Sequence, residues 1–446
     1  MVSLGVYLVK VTIGNSMSKV EGLSVTQFKQ LRTILSINLD TGYAYGGFSN
    51  RQYLMDVKGN FPTGLLYLVQ EYLGLLVEYK DTRQVPKALG TVLKARGLPT
   101  PYPEQIEAAT ACLNEHRGIL VAPTGFGKSV IIALMIEALQ VRTLIVVPTL
   151  ELRRQLTHTL REVFGKGAVG RLGHLIAVEN IDALDTKEPC QYDCVIIDEF
   201  HHSGAKTYRK LNQKCWTGVY YRFGLTATPF RSQDHEKLLL ESVLSQVIYE
   251  VDYQNAVKQG YIAPLEAYYI EVPKAGNFDN DYHVYSSAYT ELIVNHTGRN
   301  ILISVALARL HQAGVSTLCL VKQIEHGLKI EANTGIAFVK GENDDNPEVI
   351  AFFNEGKTAL IGTHGVLGEG VDTKACEYVI VATPMKSKNL FMQCVGRSFR
   401  RYPGKESAKV IIIKDSSHKW FRSAFREQVK ILREEYGIVP IKLDLL

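Results

Sequence analysis

The eight residues APTGFGKS at 122–129 combine two glycines, a lysine and a hydroxyl in a spacing suited to phosphate. In this loop, which also contains Thr124 and Phe126, Gly125 and Gly127 let the backbone turn its N–H groups toward phosphate oxygens. Lys128 reaches the terminal phosphates, and the Ser129 hydroxyl can ligate Mg²⁺. A helix beginning where the loop ends adds the positive end of its dipole. Farther along, CVIIDEFHH at 194–202 sets two carboxylates and two histidines behind an apolar run. Asp198, directly after CVII, is expected at the carboxyl edge of a sheet, holding Mg²⁺ directly or through water, while Glu199 orients and deprotonates an attacking water. A zinc site built from Asp198, Glu199, His201 and His202 lacks suitable ligand spacing and leaves the glycine loop unexplained. The chemistry implied is Mg²⁺-dependent hydrolysis of a nucleoside triphosphate.

Parallel strands are needed to bring such a loop and such a carboxylate to one edge, and the chain has that rhythm. After three prolines in 97-GLPTPYP, short β-branched runs alternate with helical segments: GILVAP, VIIALMIEALQ, TLIVVPT, LELRRQLTHTLREVF, CVIIDEF and YRFGLTATP. From about Tyr261 a second series runs through STLCLVK, GIAFVKG, TALIGTHG, YVIVATP and AKVIIIKD. The reading is an α/β protein with two tandem parallel-sheet domains, 99–260 and 261–446, preceded by a small α+β unit at 1–98. In that first unit VYLVKVTI is read as a strand, SVTQFKQLRTILS as a helix capped by Ser24 or Thr26, and GYAYGGFSNRQYLMDV as a glycine-broken hairpin. FPTGLLYLVQEYLGLL is read as a helix with Pro62 in its first turn.

Composition agrees with this plan, since 446 residues exceed one ordinary core and 46% hydrophobic with 21% charged residues is a globular balance. No apolar stretch is long enough to span a membrane and the first residues lack a secretion signal, so a cytoplasmic chain with no membrane partner is expected. Seven scattered cysteines, none spaced as CxxC, argue against disulfides and structural zinc. The net charge is +5, but from Lys386 onward 14 Lys and Arg stand against 6 Asp and Glu. That asymmetry points to a polyanionic partner.

Six further stretches follow in order: YPEQIEAA from Tyr102, VVPTLELRRQ from Val146, TATP from Thr226, LCLVKQIEHG from Leu318, IGTHGVLGEGVD from Ile361 and QCVGRSFRR from Gln393. With the glycine loop and DEFH they resemble, in order and spacing, the motif series of superfamily 2 DExH-box helicases and translocases. The resemblance implies two RecA-like domains, ATP and Mg²⁺ as cofactors, and a role for each matched residue. Gln105 would read the adenine edge with Tyr102 nearby; Gly370 and Asp372 would complete the nucleotide side. His201 and Gln393 would couple nucleotide state to domain closure, and Arg397 and Arg400, three apart and so on one helix face, would act as arginine fingers. Pro148, Thr149 and Arg153 in the first domain, and Lys322, Thr363 and His364 in the second, would grip one strand's phosphates, with Thr226 and Thr228 coupling the two sites. One departure is 176-IAVENIDAL, where Glu179 is a poor phosphate neighbour and Asn180 is the substitute polar contact.

LVKQIEHGLKI, MKSKNLFMQCVGRSFRRYPGKES and the basic aromatic tail resemble phage branch-migration and recombination helicases of the UvsW type. LRTILSINLDTGYAYGGFSNRQYLMDVKGNFPTGLLYLVQEYL resembles the small accessory domain preceding the motor in that group. The implied function is an ATP-dependent DNA helicase or translocase, monomeric on DNA, that remodels forks and four-way junctions in recombination, repair or replication. An RNA helicase and a nucleotide-switched DNA clamp that does not unwind are the alternatives. Tyr43, Tyr45, Phe48, Arg51 and Tyr53, around Gly46 and Gly47, could stack on unpaired bases or form the small unit's own core.

Overall fold

The computed structural model describes residues 9–38, 51–74, 77–184, 188–200, 205–227, 234–274, 276–340, 346–356, 358–367, 373 and 375–444. Tyr43, Tyr45, Phe48, His201, His202, Thr228, Gly370 and Asp372 lie outside the described residues. The chain forms two compact units, Met1–Ala122 with Gly127–Glu250, and Pro123–Phe126 with Val251–Leu446.

At the start of the first unit, β1 (Lys10–Ile13) pairs antiparallel with β2 (Met17–Glu21), which pairs antiparallel with β5 (Asn60–Pro62). β6 (Glu78–Asp81) runs parallel to β1, and β3 (Ser36–Asn38) with β4 (Arg51–Tyr53) makes a separate antiparallel ribbon. Helix α1 (Val25–Ile34) starts at Ser24, whose hydroxyl accepts the Gln27 N–H while Gln27 accepts from the Ser24 N–H. This reciprocal capping box settles the choice between Ser24 and Thr26. Helix α2 (Leu66–Leu73) follows a single 3₁₀ turn at Thr63–Leu65, so Pro62 closes β5 instead of entering the helix.

The rest of this unit is a seven-stranded parallel sheet made of β7 (Arg117–Val121), β8 (Thr143–Val147), β9 (Val169–Gly170), β10 (Ile176–Asn180), β11 (Cys194–Asp198), β12 (Tyr221–Thr226) and β13 (Val247–Glu250). Its spatial order is β13-β7-β12-β11-β8-β10-β9. Every residue of β7, β8 and β10 is buried, as parallel strands covered on both faces require. The covering helices include α3 (Pro103–Glu115), α4 (Lys128–Leu139), α5 (Leu150–Phe164), α6 (Ala205–Lys214) and α7 (Asp234–Leu244).

The N-terminal elements share a core with this sheet layer. Leu239 of α7 lies in the same buried cluster as Val11, Val20, Leu31, Phe61 and Val69. The Tyr67 hydroxyl donates to Glu241 at 2.7 Å, and Gly64 passes so close to α7 that a Cβ there would lie 2.1 Å from the Glu241 carbonyl oxygen. Arg222, buried on β12, donates to Asn212 and the Trp216 carbonyl, and at 2.9 Å to the Ser16 hydroxyl. Burial without a carboxylate partner pushes its guanidinium well below the usual arginine range.

The second unit carries another seven-stranded, wholly parallel sheet: β14 (Leu265–Glu271), β15 (Thr317–Val321), β16 (Phe338–Val339), β17 (Ala359–Thr363), β18 (Tyr378–Val381), β19 (Ala408–Lys414) and β20 (Ile441–Lys442). The order is β16-β17-β15-β18-β19-β14-β20. Its core gathers Ile303, Leu307, Val321, Ile361, Ile380 and Ile411, and a buried Arg299–Asp415 pair at 2.9 Å ties the helix Thr297–Gln312 to the end of β19.

Candidate nucleotide and nucleic-acid site

β7 lies between β13 and β12, and the loop leaving its carboxyl end runs directly into α4. Gly127 caps α4 at φ +92°, and a Cβ there would meet the Gln105 amide nitrogen at 2.6 Å, so both conformation and space call for glycine. Gln105 is buried, accepts the Tyr102 N–H at 2.9 Å through Oε1, and thereby presents its amide nitrogen to the loop. Tyr102 is the cap residue of α3.

Two strands away, β11 carries Asp198 to the same edge of the sheet. Asp198 Oδ1 accepts the Glu199 N–H at 3.1 Å, and Glu199 Oε1 pairs with Lys128 Nζ at 2.5 Å. Glu199 sits at φ +50°, a costly conformation for this residue type. Burial, and then the neighbouring Glu199 charge, push the Asp198 carboxyl up to about 7 against the opposing pull of Lys128. Two acidic side chains thus stand beside one ammonium group in a partly buried setting, oxygen donors of the kind a divalent cation takes; Ser129, in the first turn of α4, supplies a hydroxyl oxygen of the type Mg²⁺ prefers. Thr226 closes β12, buried, and its carbonyl accepts the Ala122 N–H at 3.0 Å, which fixes the start of the loop.

Pro148, Thr149, Arg153 and Asn180 come together at the ends of β8 and β10. The Thr149 hydroxyl accepts the Leu152 N–H as the cap of α5. Asn180 is buried, donates to the Pro148 carbonyl at 2.8 Å and accepts the Asp182 N–H at 2.8 Å, so both ends of its amide are used internally. Glu179 is also buried, accepting from Arg171 Nε at 2.6 Å and the Leu172 N–H at 3.0 Å, with Arg153 at 3.8 Å. A residue that looked ill-suited to phosphate holds two arginines instead.

In the second unit Lys322 follows β15, and Thr363 ends the adjacent β17 opposite Val321. His364 opens the short helix His364–Leu367; burial, then the charge of Lys322, lowers its imidazole pKa. The Lys322 ammonium lies 5.4 Å from the ring centres of both Tyr285 and Tyr289, aromatic neighbours that motif spacing did not indicate.

Gln393 is buried in the helix Lys388–Gly396. That helix ends before the arginines, which corrects the expectation of one shared helical face. Arg397 is its C-cap, and the chain then tightens through Ser398 N–H to Val395 O and Phe399 N–H to Gly396 O bonds. Arg400 lies beyond this turn. The buried Lys405 ammonium, which no motif marked, donates to the carbonyls of Cys376, Ser398 and Arg400 and holds the arginine-bearing segment in place.

A family model for the res subunit of type III restriction enzymes matches residues 98–231, and one for the helicase conserved C-terminal domain matches residues 286–402. The chain is a superfamily 2 helicase. It is 25% identical over 345 residues to the DNA 3'-5' translocase XPB2 of Sulfurisphaera tokodaii, covering 67% of this chain and 78% of that protein. To the ATP-dependent DNA helicase uvsW of Enterobacteria phage T4 it is 23% identical over 443 residues, 87% of each chain. The solved structure of S. cerevisiae Dbp5 bound to RNA and ADP BeF3 superimposes with a TM-score of 0.55 at 14% identity, over 77% of this chain and 90% of that one. The helicase is accordingly an ATPase of two RecA-like domains, and among its described residues no helix is long and apolar enough to cross a membrane.

Proposed function

We propose that this helicase is an ATP-dependent DNA translocase that remodels branched DNA, forks and four-way junctions, in the manner of phage recombination helicases. The observation that carries the reading is the similarity to a phage DNA helicase over 87% of both chains, which extends beyond the motor motifs. The division into an accessory unit at 1–98 and motor domains at 99–260 and 261–446 belongs to the same proposal.

In this reading the N–H groups of the 122–129 loop and Lys128 bind the phosphates of ATP, which requires Lys128 to exchange its Glu199 partner for phosphate. Ser129 and Asp198 would hold Mg²⁺, which supplies charge neutralisation at the phosphate oxygens. Glu199, released from Lys128, orients and deprotonates the attacking water. Arg397 and Arg400 stabilise charge on the transferred phosphoryl group, while Gln393 and Thr226 relay nucleotide state to the nucleic-acid contacts. Arg153, Lys322, Thr363 and His364 hold the backbone of one DNA strand, with Pro148, Thr149 and Asn180 shaping the first of these contacts.

The test is ATP-dependent strand displacement on a four-way junction, a fork, a linear DNA duplex and an RNA duplex, alongside ATPase stimulation by each. Preferential processing of the junction and fork is expected. Equal rates on linear duplex would remove the branched-DNA assignment, and stimulation by RNA alone would replace DNA as substrate.

A further inference from the structure

A cavity of about 630 Å³ lies along α5 and the segment after it, lined by Arg153, Arg154, Arg161, Lys166 and Arg171. We propose that this cavity is a second nucleic-acid site, one that holds the phosphodiester backbone of a duplex DNA arm; it rests on the DNA-translocase reading and borders the strand grip at Arg153, while Arg154, Arg161, Lys166 and Arg171 lie outside that grip. Three features carry the inference.

The first is spacing. Arg154 and Arg161 are seven residues apart, two turns along one face of α5 or about 10 Å. One DNA strand rises about 3.4 Å along the duplex axis per phosphate, so the row spans the rise of about three nucleotides. The second is how the cations are held. Buried Glu179 pairs with Arg171 at 2.6 Å and Arg153 at 3.8 Å, while Glu151 with Arg154 and Glu162 with His158 form exposed pairs at 3.5 and 3.7 Å. Exposed pairs of this kind exchange readily for phosphate. Arg161 donates its Nε–H to the Val169 carbonyl, and neither it nor Lys166 has an ion-pair partner among the described residues. The third is what lines the wall: among the described residues, no Phe, Tyr or Trp does. Sites for unpaired strands combine cations with aromatic rings on which bases stack, whereas a cation-lined wall without them suits a duplex backbone.

The experiment uses the full chain carrying Arg154→Gln, Arg161→Gln and Lys166→Gln together, exposed positions where glutamine threatens no core. Fluorescence anisotropy across a salt series measures binding to a blunt duplex and to a single strand, and ATPase is assayed with the single strand. Duplex affinity should fall at least about tenfold, and its log–log salt slope should drop by about 3. Single-strand affinity and ATPase should stay within about twofold. An unchanged duplex slope overturns the proposal, as does wild-type protein that binds no duplex. An equal loss on single strand overturns it too, assigning the cavity to the tracked strand. Failure of DNA to stimulate the wild-type ATPase breaks the DNA-translocase reading instead, while the duplex slopes still decide this site.

Discussion

Replacing Lys405 with methionine tests whether one buried amine holds the arginine segment in working geometry. The ammonium donates to three carbonyls, those of Cys376, Ser398 and Arg400, and is itself almost wholly buried. Methionine fills similar volume but leaves these carbonyls without their donor. At about 1–3 kcal/mol for each buried unsatisfied group, offset in part by the relieved cost of burying a charge, the net loss should be about 3 kcal/mol. For a unit of this size that lowers its melting temperature by about 6–12 °C. The protein should therefore remain folded at 25 °C, and the catalytic effect can be read separately from the stability effect.

Arg397 and Arg400 lie outside the regular helix, so their placement depends on the turn that Lys405 ties together. A misplacement of about 1 Å at such groups costs on the order of 100-fold in rate. Steady-state ATPase on Lys405→Met should show kcat reduced between about 10- and 100-fold with KM for ATP within about twofold. Lys405→Arg should recover only part of the rate, because a planar fork does not meet three convergent carbonyls as a compact ammonium does. A folded Lys405→Met protein with wild-type kcat would refute the reasoning, since other contacts would then be holding the segment.

Glu199→Gln should bind a fluorescent ATP analogue within about threefold of wild type while hydrolysis falls at least about 100-fold; hydrolysis at the wild-type rate would remove Glu199 as the base. Arg222→Met should lower the first unit's chemical-denaturation stability by about 2–4 kcal/mol, because Asn212, Ser16 and the Trp216 carbonyl lose their donor; an unchanged midpoint would show that those groups find water instead. His326 is buried with Nε2 3.0 Å from Asn300 Oδ1, and burial, then the charges of Arg299 and Lys329, hold its pKa down to about 3. The unfolded chain binds the extra proton below about 6.5, so this contribution is complete above that pH and is lost as pH falls toward 3, by about 1.4 kcal/mol per unit. Urea titrations at pH 7.5 and 5 should show that slope in the wild type, and a His326→Gln protein with an undiminished slope would assign the acid sensitivity to another group.

The parallel sheets were legible because a strand covered on both faces must be apolar throughout: TLIVV at 143–147 and TLCLV at 317–321 have no polar alternation to confuse with a surface strand. The loop and Asp198 were legible for a related reason, since a strand end followed by glycine or acid marks the carboxyl edge where ligands bind. What the sequence withheld depended on partners distant along the chain. Arg397 and Arg400 keep helical spacing, yet the helix stops at Gly396 and the following turn is held by Lys405. Glu179 reads as an anion in the wrong place until Arg171 and Arg153 are seen around it. LEAYYIE at 265–271 carries a glutamate at each end of its run, and its place in the sheet follows from seven paired positions with β19.

The N-terminal elements alter how branched-DNA recognition must be tested. Truncation at residue 98 would expose Leu239, strip Glu241 of the Tyr67 hydroxyl and leave Arg222 without Ser16. Each of these groups belongs to an element of the first unit's seven-stranded sheet or of the helix layer on it: Arg222 is on β12, whose last residue is Thr226, and Leu239 and Glu241 are on α7. A truncated protein that loses junction unwinding would therefore lose it through the motor as well as through any DNA contact. Surface substitution separates the two. Arg51, bonded to Asn38 at 3.1 Å, and Tyr53, with the Arg32 guanidinium 4.1 Å from its ring centre, sit on the β3–β4 ribbon without reaching the shared core. Changing both to alanine should leave ATPase on single-stranded DNA intact and reduce only the preference for a junction over linear duplex. If the preference survives while the protein stays folded, the ribbon is structural and branch recognition lies elsewhere on the chain.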